Sequence, residues 1–321
     1  MKISDLRKLM QNVPLPANAA AQIQQQALLK EIGIDLGQFY QELEMESRFV
    51  DTHQDISFSN ANVQLHSHSF YEILYCCNTC GAEYLVGTER YRLQKGDIIL
   101  IAPGISHRPM LPEHMTEPYK RYVLWISSEF MDALIQTFPF IRKEHSNYTT
   151  LLRTGGTGWE SLGPLFYSGV WESETRGPGW EAAVVGNTVH LVSLLYRAFV
   201  DHSTAPMEAE KPELLDQVLA YVEAHLEKKI TLDEIARHFY VSESTVSQTF
   251  HKKMGVPFHR CVTQRRLIAA KALIEIGVAL ETVSHQLGFV DYSSFYRAFK
   301  QEYGISPRQY RKLQENTEPI L

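Results

Sequence analysis

ITLDEIARHFYVSESTVSQTFHKKMG (Ile230–Gly255) and GFVDYSSFYRAFKQEYGISPRQYR (Gly288–Arg311) are two versions of one pattern. Phe250, Gly255 and Pro257 return as Phe299, Gly304 and Pro307, and Val246 returns as Phe295. Ile235 and Phe239 return, one residue closer, as Val283 and Leu287. A pattern that comes back after about four dozen residues is an internal repeat of a small unit, because that spacing is far shorter than a domain.

Each copy spells helix, tight turn, helix. Thr231 can cap a helix over Leu232–His238, with Glu234 placed to complete a capping box. After the turn Phe239–Val241, Ser242 caps a second helix that Val246 and Phe250 anchor to a core. Its outward positions are Ser244, Ser247, Gln248 and His251, short or hydrogen-bonding side chains of the kind that meets base edges in a major groove. In the second copy Leu280–Leu287 is the supporting helix and Gly288 the turn, where a missing Cβ permits a left-handed backbone. The next helix buries Phe295 and Phe299 and exposes Tyr292, Ser293, Tyr296 and Arg297. Arg297 suits a bidentate contact to guanine, a phosphate contact or a salt bridge to a neighbouring carboxylate. One isolated unit of this sort reads equally well as a small helical core with a polar surface; two copies at fixed spacing favour double-stranded DNA as the partner. Between them Arg260–Glu275 forms a helix of about 24 Å at ~1.5 Å per residue, enough with its flanking units to approach the ~34 Å of a DNA turn.

The net charge of −6 runs against this until it is divided. Residues 1–210 hold 16 Lys and Arg against 24 Asp and Glu, a balance of −8, whereas residues 228–312 hold 14 against 7, a balance of +7. The basic excess is confined to the repeat, where phosphate would be met. With 44% hydrophobic and 21% charged residues over 321 positions, the chain can bury a sizeable core in more than one domain. The N-terminus shows no signal-peptide pattern, and no uninterrupted apolar run has bilayer-spanning length, so a cytoplasmic protein with no membrane partner is expected. Cys76, Cys77 and Cys80 make no secreted disulfide framework and read as inert thiols rather than a redox or metal switch.

Ahead of the repeat, the polar segment Ser203–Pro212 reads as a linker. From His66 to Ser127, short apolar runs such as EILYCC, DIILIA and RYVLWI alternate with turn residues, as in an all-β barrel or sandwich. Beyond Ser128 the spacing becomes helical, and Val185, Val189, Val192, Leu195 and Phe199 form one apolar stripe. Within the β region His66 and His68 share a strand face, and His107 returns after the Pro103–Gly104 turn. His66, His68, Glu72 and His107 together form a three-histidine, one-carboxylate set that suits a first-row divalent metal ion, but the favoured reading is a polar mouth for an organic effector without metal. Phe70, Tyr71, Tyr75, Tyr84 and Trp125 lie near enough in sequence to stack on a sugar, although core positions suit them better.

The repeat resembles the DNA-binding domain of the AraC/XylS family of bacterial regulators over about a hundred residues. HSHSFYE (His66–Glu72) with GDIILIAPGISH (Gly96–His107) resembles the paired motifs of a cupin barrel, a common N-terminal partner in that family. The resemblance implies base-contacting positions at Ser244, Ser247, Gln248, Tyr292, Ser293, Tyr296 and Arg297. It also implies a small-molecule effector, a carbohydrate as leading candidate, in the barrel. Ser284 departs from the alanine usual in the family, and its hydroxyl is expected to bond back to its own helix. The expected architecture is multidomain α+β. A helical extension (1–50) precedes a cupin-like barrel (51–127) and a helical dimerisation region (128–202) that pairs two chains through the apolar stripe. A linker (203–212) then leads to an all-α domain with two helix-turn-helix units (213–314). RNA polymerase is a further expected contact. A metal-dependent cupin enzyme fused to a DNA-binding segment is the rival function.

Overall fold

The computed structural model describes residues 45–58, 65–112, 115, 117–141, 150–201 and 210–315. The extension expected over 1–50 and the linker expected over 203–212 lie largely outside the described residues.

Among the described residues eight strands build the N-terminal half: β1 (Val50–Ser57), β2 (Tyr71–Cys76), β3 (Glu83–Val86), β4 (Glu89–Arg92), β5 (Asp97–Ile101), β6 (His107–Met110), β7 (Tyr119–Ile126) and β8 (Thr150–Arg153). They form a five-stranded sheet in the order β1-β7-β2-β5-β8 and a three-stranded sheet in the order β4-β3-β6, with antiparallel pairing throughout. The period of two sorts the apolar runs into different cores. Leu74, Ile99, Ile101, Val123 and Trp125 point between the sheets, together with Tyr84, Leu93 and Tyr119. Their neighbours Ile73, Ile98, Leu100 and Leu124 point the other way, under the helices α2 (Leu162–Thr175) and α3 (Trp180–Val200).

That second layer corrects two expectations. The stretch 128–202 begins with α1 (Ser128–Thr137) but is not helical throughout, since β8 returns to pair with β5. The stripe Val185, Val189, Val192, Leu195 and Phe199 is not a free dimer face. Val192 and Leu195 are buried in this chain's own core, and the other three pack against it, because the outer face of the large sheet would otherwise meet water. By length and composition α3 could cross a membrane, contrary to the expectation that no segment could; here Val184, Leu191, Val192, Leu195 and Tyr196 are instead buried.

The C-terminal half consists of α4 (Leu214–Ala224), α5 (Leu232–His238), α6 (Glu243–Met254), α7 (Phe258–Glu275), α8 (Leu280–Gln286), α9 (Tyr292–Tyr303) and α10 (Pro307–Glu315). The hydroxyls of Thr231 and Ser242 cap α5 and α6 by accepting from the Glu234 and Thr245 amides. Glu234 does not close a capping box; its carboxylate accepts the Tyr221 hydroxyl instead. Asp291 caps α9. The two units use the same left-handed turn: Tyr240 at φ 55° follows α5 and Gly288 at φ 64° follows α8. Gly288 is obligatory on a second ground, because a Cβ there would lie 2.7 Å from the Leu226 carbonyl oxygen and 2.8 Å from that of Glu227. Ser284 is buried in α8 and its hydroxyl finds no partner, so the expected bond back to the helix does not form.

The halves share one core. Leu65, Leu85 and Met110 from the small sheet and its approach join Leu215, Val218, Leu219 and Val222 of α4 and the apolar faces of α6, α7 and α9.

Gly288→Ala is expected to lower stability by about 2 kcal/mol or more, since the left-handed backbone alone costs an L-residue ~1–2 kcal/mol and two backbone oxygens crowd the new methyl group. Ser284→Ala should act in the opposite direction, raising stability by about 1 kcal/mol, because a buried unsatisfied hydroxyl costs ~1–3 kcal/mol. Urea unfolding followed by circular dichroism checks both signs.

Candidate functional site

The barrel cluster is assembled from three places in the chain. Glu72 sits near the start of β2, where its cross-strand neighbours are Ile101 and Trp125. His107 opens β6, and an isolated antiparallel bridge joins it to His66 through two backbone hydrogen bonds. His68 stands just after that bridge and stacks flat on Phe70, with ring centroids 4.0 Å apart. All three acquire a fixed orientation from hydrogen bonds made by their other polar atoms. His68 Nδ1 donates to the Phe70 carbonyl at 2.8 Å, His107 Nδ1 donates to the Ile105 carbonyl at 2.8 Å, and Glu72 Oε1 accepts from the Trp125 indole nitrogen at 2.8 Å. A carbonyl can only accept, so each Nδ1 carries a hydrogen and each Nε2 is turned inward.

Inside, His107 Nε2 lies 3.0 Å and His68 Nε2 3.7 Å from Glu72 Oε2. All three inward atoms are buried and none has a hydrogen bond of acceptable geometry. Burial alone would raise the Glu72 pKa; the close approach and charge of the His107 and His68 imidazoles outweigh it and hold the carboxyl well below its usual range. Burial pushes His68 down, against the pull of Glu72. His68, Glu72 and His107 could therefore hold a metal ion with atoms within 4.8 Å of one another. His66 stands beside them, its ring centroid 4.3 Å from that of His107, but lies outside that convergent set. Phe70, Tyr71, Tyr84 and Trp125 are buried wall and core. Cys76, Cys77 and Cys80 are free, and burial pushes each thiol up, Cys77 to about 11, so none is a thiolate at neutral pH.

On the helical half, Ser244, Ser247, Gln248 and His251 are exposed on α6, and the last three line a shallow surface with Lys252 and Pro257. On α9, Ser293 and Arg297 are exposed, while Tyr292 and Tyr296 are half-buried and Tyr292 leans on the core. Among the described residues Arg297 has no ion pair within bonding distance, which leaves its guanidinium directed to solvent. Arg266, which carried no signal in the sequence, ties the two units together: from α7 it donates to the carbonyls of Gly288 and Lys228.

Comparison with known proteins decides the family. Residues 52–159 match the AraC-like ligand binding domain and residues 235–313 a helix-turn-helix domain. The chain belongs to the AraC family of transcription regulators. Similar AraC-family proteins include the uncharacterized HTH-type transcriptional regulator YfiF of Bacillus subtilis, 25% identical over 88% of this chain and 90% of that one. The HTH-type transcriptional activator RhaS of Salmonella arizonae is 25% identical over 77% of this chain and 87% of its own length. The crystal structure of ToxT from Vibrio cholerae covers 84% of this chain at 13% identity and a TM-score of 0.34, too slight a likeness to build on. The chain is thus an AraC-family DNA-binding regulator with a ligand-binding domain, and the relatives are named as regulators rather than enzymes.

Trp125 should hold Glu72 in place by its indole N–H rather than by stacking on a ligand. Trp125→Phe removes that donor and leaves a buried carboxylate oxygen unsatisfied, so a loss of about 1–3 kcal/mol is expected, read by thermal and urea unfolding; an unchanged stability would show that Glu72 does not need it.

Proposed function

We propose that this regulator reads DNA with Ser244, Ser247, Gln248 and His251 of α6 and with Tyr292, Ser293, Tyr296 and Arg297 of α9, in two successive major grooves. The observation that carries the reading is the pair of capped units with one turn geometry, joined by α7, whose 18 residues span about 27 Å at ~1.5 Å per residue. Arg297 and Ser293 are the exposed side chains of α9 best placed for base edges, with Tyr292 packed partly into the core beneath them.

Control of DNA binding is assigned to a small ligand at the His66, His68, Glu72 and His107 end of the barrel, a carbohydrate or other polar metabolite being the organic candidate. A ligand there shifts DNA affinity only by its differential affinity for the two states of the chain. The protein acts by binding rather than turnover, in the cytoplasm and as a homodimer, with RNA polymerase as a further partner. Exposed Tyr167 and Trp171, four residues apart on α2, favour α2 over the buried α3 stripe as the face between two copies.

Arg297→Ala is expected to cost ~1–3 kcal/mol on cognate DNA and to relax preference at one base pair. Lys300→Ala, on the same exposed face, should weaken all sequences alike and flatten the salt dependence. Binding titrations on cognate and scrambled duplexes at several salt concentrations separate the two. Equal losses on both duplexes for Arg297→Ala would make it a backbone contact and move specificity to Gln248 or Tyr292.

A further inference from the structure

Tyr240 holds a backbone conformation that its side chain disfavours, and nothing inside the chain compensates it. Among the described residues only Arg176 and Tyr240 have a positive φ without being glycine, at 49° and 55°. In that left-handed region the Cβ of an L-residue crowds the following carbonyl oxygen, and a bulky aromatic there is an outlier. Arg176 is compensated: its Nε donates to the Ser173 carbonyl at 3.3 Å and its guanidinium lies over the Trp180 ring. Tyr240 is 95% exposed, and among the described residues its phenol makes no hydrogen bond and its ring meets no other ring. A strained residue that the rest of the fold does not use points to a contact outside the chain.

The second unit shows how much the turn itself requires. The Val241 amide donates to the Ala236 carbonyl at 3.0 Å, and the Phe289 amide donates to the Ser284 carbonyl at 3.1 Å. Each bond closes the same turn over one left-handed residue, Tyr240 in the first unit and Gly288 in the second. Glycine meets that need without strain. The turn therefore explains the conformation but not the tyrosine.

The phenol stands at the entrance to the first reading helix. On either side of it Phe239 and Val241 pack against the helical core, and Phe239 also meets the rings of Tyr221 and His238. Anchored neighbours fix the turn, so the exposed side chain between them is presented rather than loose. Two residues later Ser242 caps α6, whose exposed Ser244, Ser247 and Gln248 follow directly. A helix ~10–12 Å across nearly fills a major groove ~12 Å wide. The turn leading into its N-terminus then lies against one sugar–phosphate wall. Phosphate oxygens only accept, and tyrosine is among the side chains that donate to them. Arg237 is already paired with Asp233, and Glu243 opens α6, so this corner offers the DNA a neutral donor rather than a cation.

We propose that Tyr240 clasps the DNA backbone for the first helix-turn-helix unit, its phenol donating to a phosphate on the edge of the groove that α6 enters. This rests on reading α6 as a groove-entering helix and adds the residue that fixes its depth and register, at the cost of strain in the free protein.

The test uses the full chain and an operator duplex recovered with it by in vitro selection. Tyr240→Gly, which copies the second unit, should raise the urea midpoint of the free protein yet weaken DNA by about tenfold, the worth of one hydrogen bond to a charged group. Tyr240→Phe, which keeps the ring, should leave the midpoint unchanged and weaken DNA to the same extent. Both losses should be equal on operator and scrambled duplexes. The salt dependence should keep its slope, since a neutral donor releases no counterion. Ethylation of one phosphate beside the first unit should block the wild type and cease to matter for Tyr240→Phe. A lower midpoint in Tyr240→Gly would give the ring a role inside the fold and overturn the proposal. Wild-type affinity in Tyr240→Phe overturns it too; if transcription with purified RNA polymerase then falls at unchanged DNA affinity, the phenol is a protein contact. A loss confined to the operator makes it a base contact and equally sinks the phosphate clasp. Gln248→Ala in the same titrations separates this from the reading beneath it. If Gln248→Ala loses preference for the operator while Tyr240→Phe is silent, α6 still reads the groove and only the clasp is wrong.

Discussion

Arg90, Arg108 and Arg265 are buried where the small sheet meets the helices, and each must find its acceptors across that seam. A guanidinium removed from water costs several kcal/mol unless its donors are used. Arg90 of β4 pairs with Glu83 at 2.8 Å and reaches Glu213 and Asp216 at the start of α4. Arg265 of α7 reaches back to the Gly87 carbonyl at 2.8 Å and pairs with Glu223 at 2.7 Å. Arg108 has the Met254 carbonyl and its neighbour Pro109, and no carboxylate among the described residues. Burial lowers its pKa to about 10, still well above neutrality, so the charge persists and leans on the negative end of the α6 dipole. These directional bonds, more than the non-directional apolar core they surround, set how the two halves register.

That register gives β6 two roles. A four-residue strand has no room for an insulating layer, so the side chain that faces Glu72 and the side chain that holds the end of α6 are adjacent along the backbone. His107 and the Arg108 clasp on α6 are thus one peptide unit apart, in a closely packed interior. Arg108 Nη2 and Arg265 Nε are both buried without a partner, but Arg108 differs from the other two arginines in having no carboxylate among the described residues.

The repeat was legible because its requirements are local. Thr231 and Ser242 cap as their positions demand, Gly288 takes the left-handed turn, and Phe250 and Phe299 fall into the core, since helical periodicity, capping and turn chemistry act over a few residues. The cluster was half legible. HxHxxxE and a later histidine named four residues, but only the fold selected three of them and turned His66 to the seam. The misreadings have one cause. An apolar stripe such as Val192 and Leu195 states that something must cover it and not what does, and a serine such as Ser284 states that it can bond and not whether an acceptor is within reach.

The sequence by itself determined the repeat, the confinement of basic charge to it, and the alternating strands of the barrel, all of them properties of neighbours along the chain. Tertiary structure alone decided that β8 closes the large sheet, that Trp125 holds Glu72, that Arg266 joins the two helical units, and that Arg108 meets the end of α6. Those contacts join residues dozens of positions apart, and a side chain's chemistry does not encode which distant acceptor the packing of the core will bring within 3 Å of it.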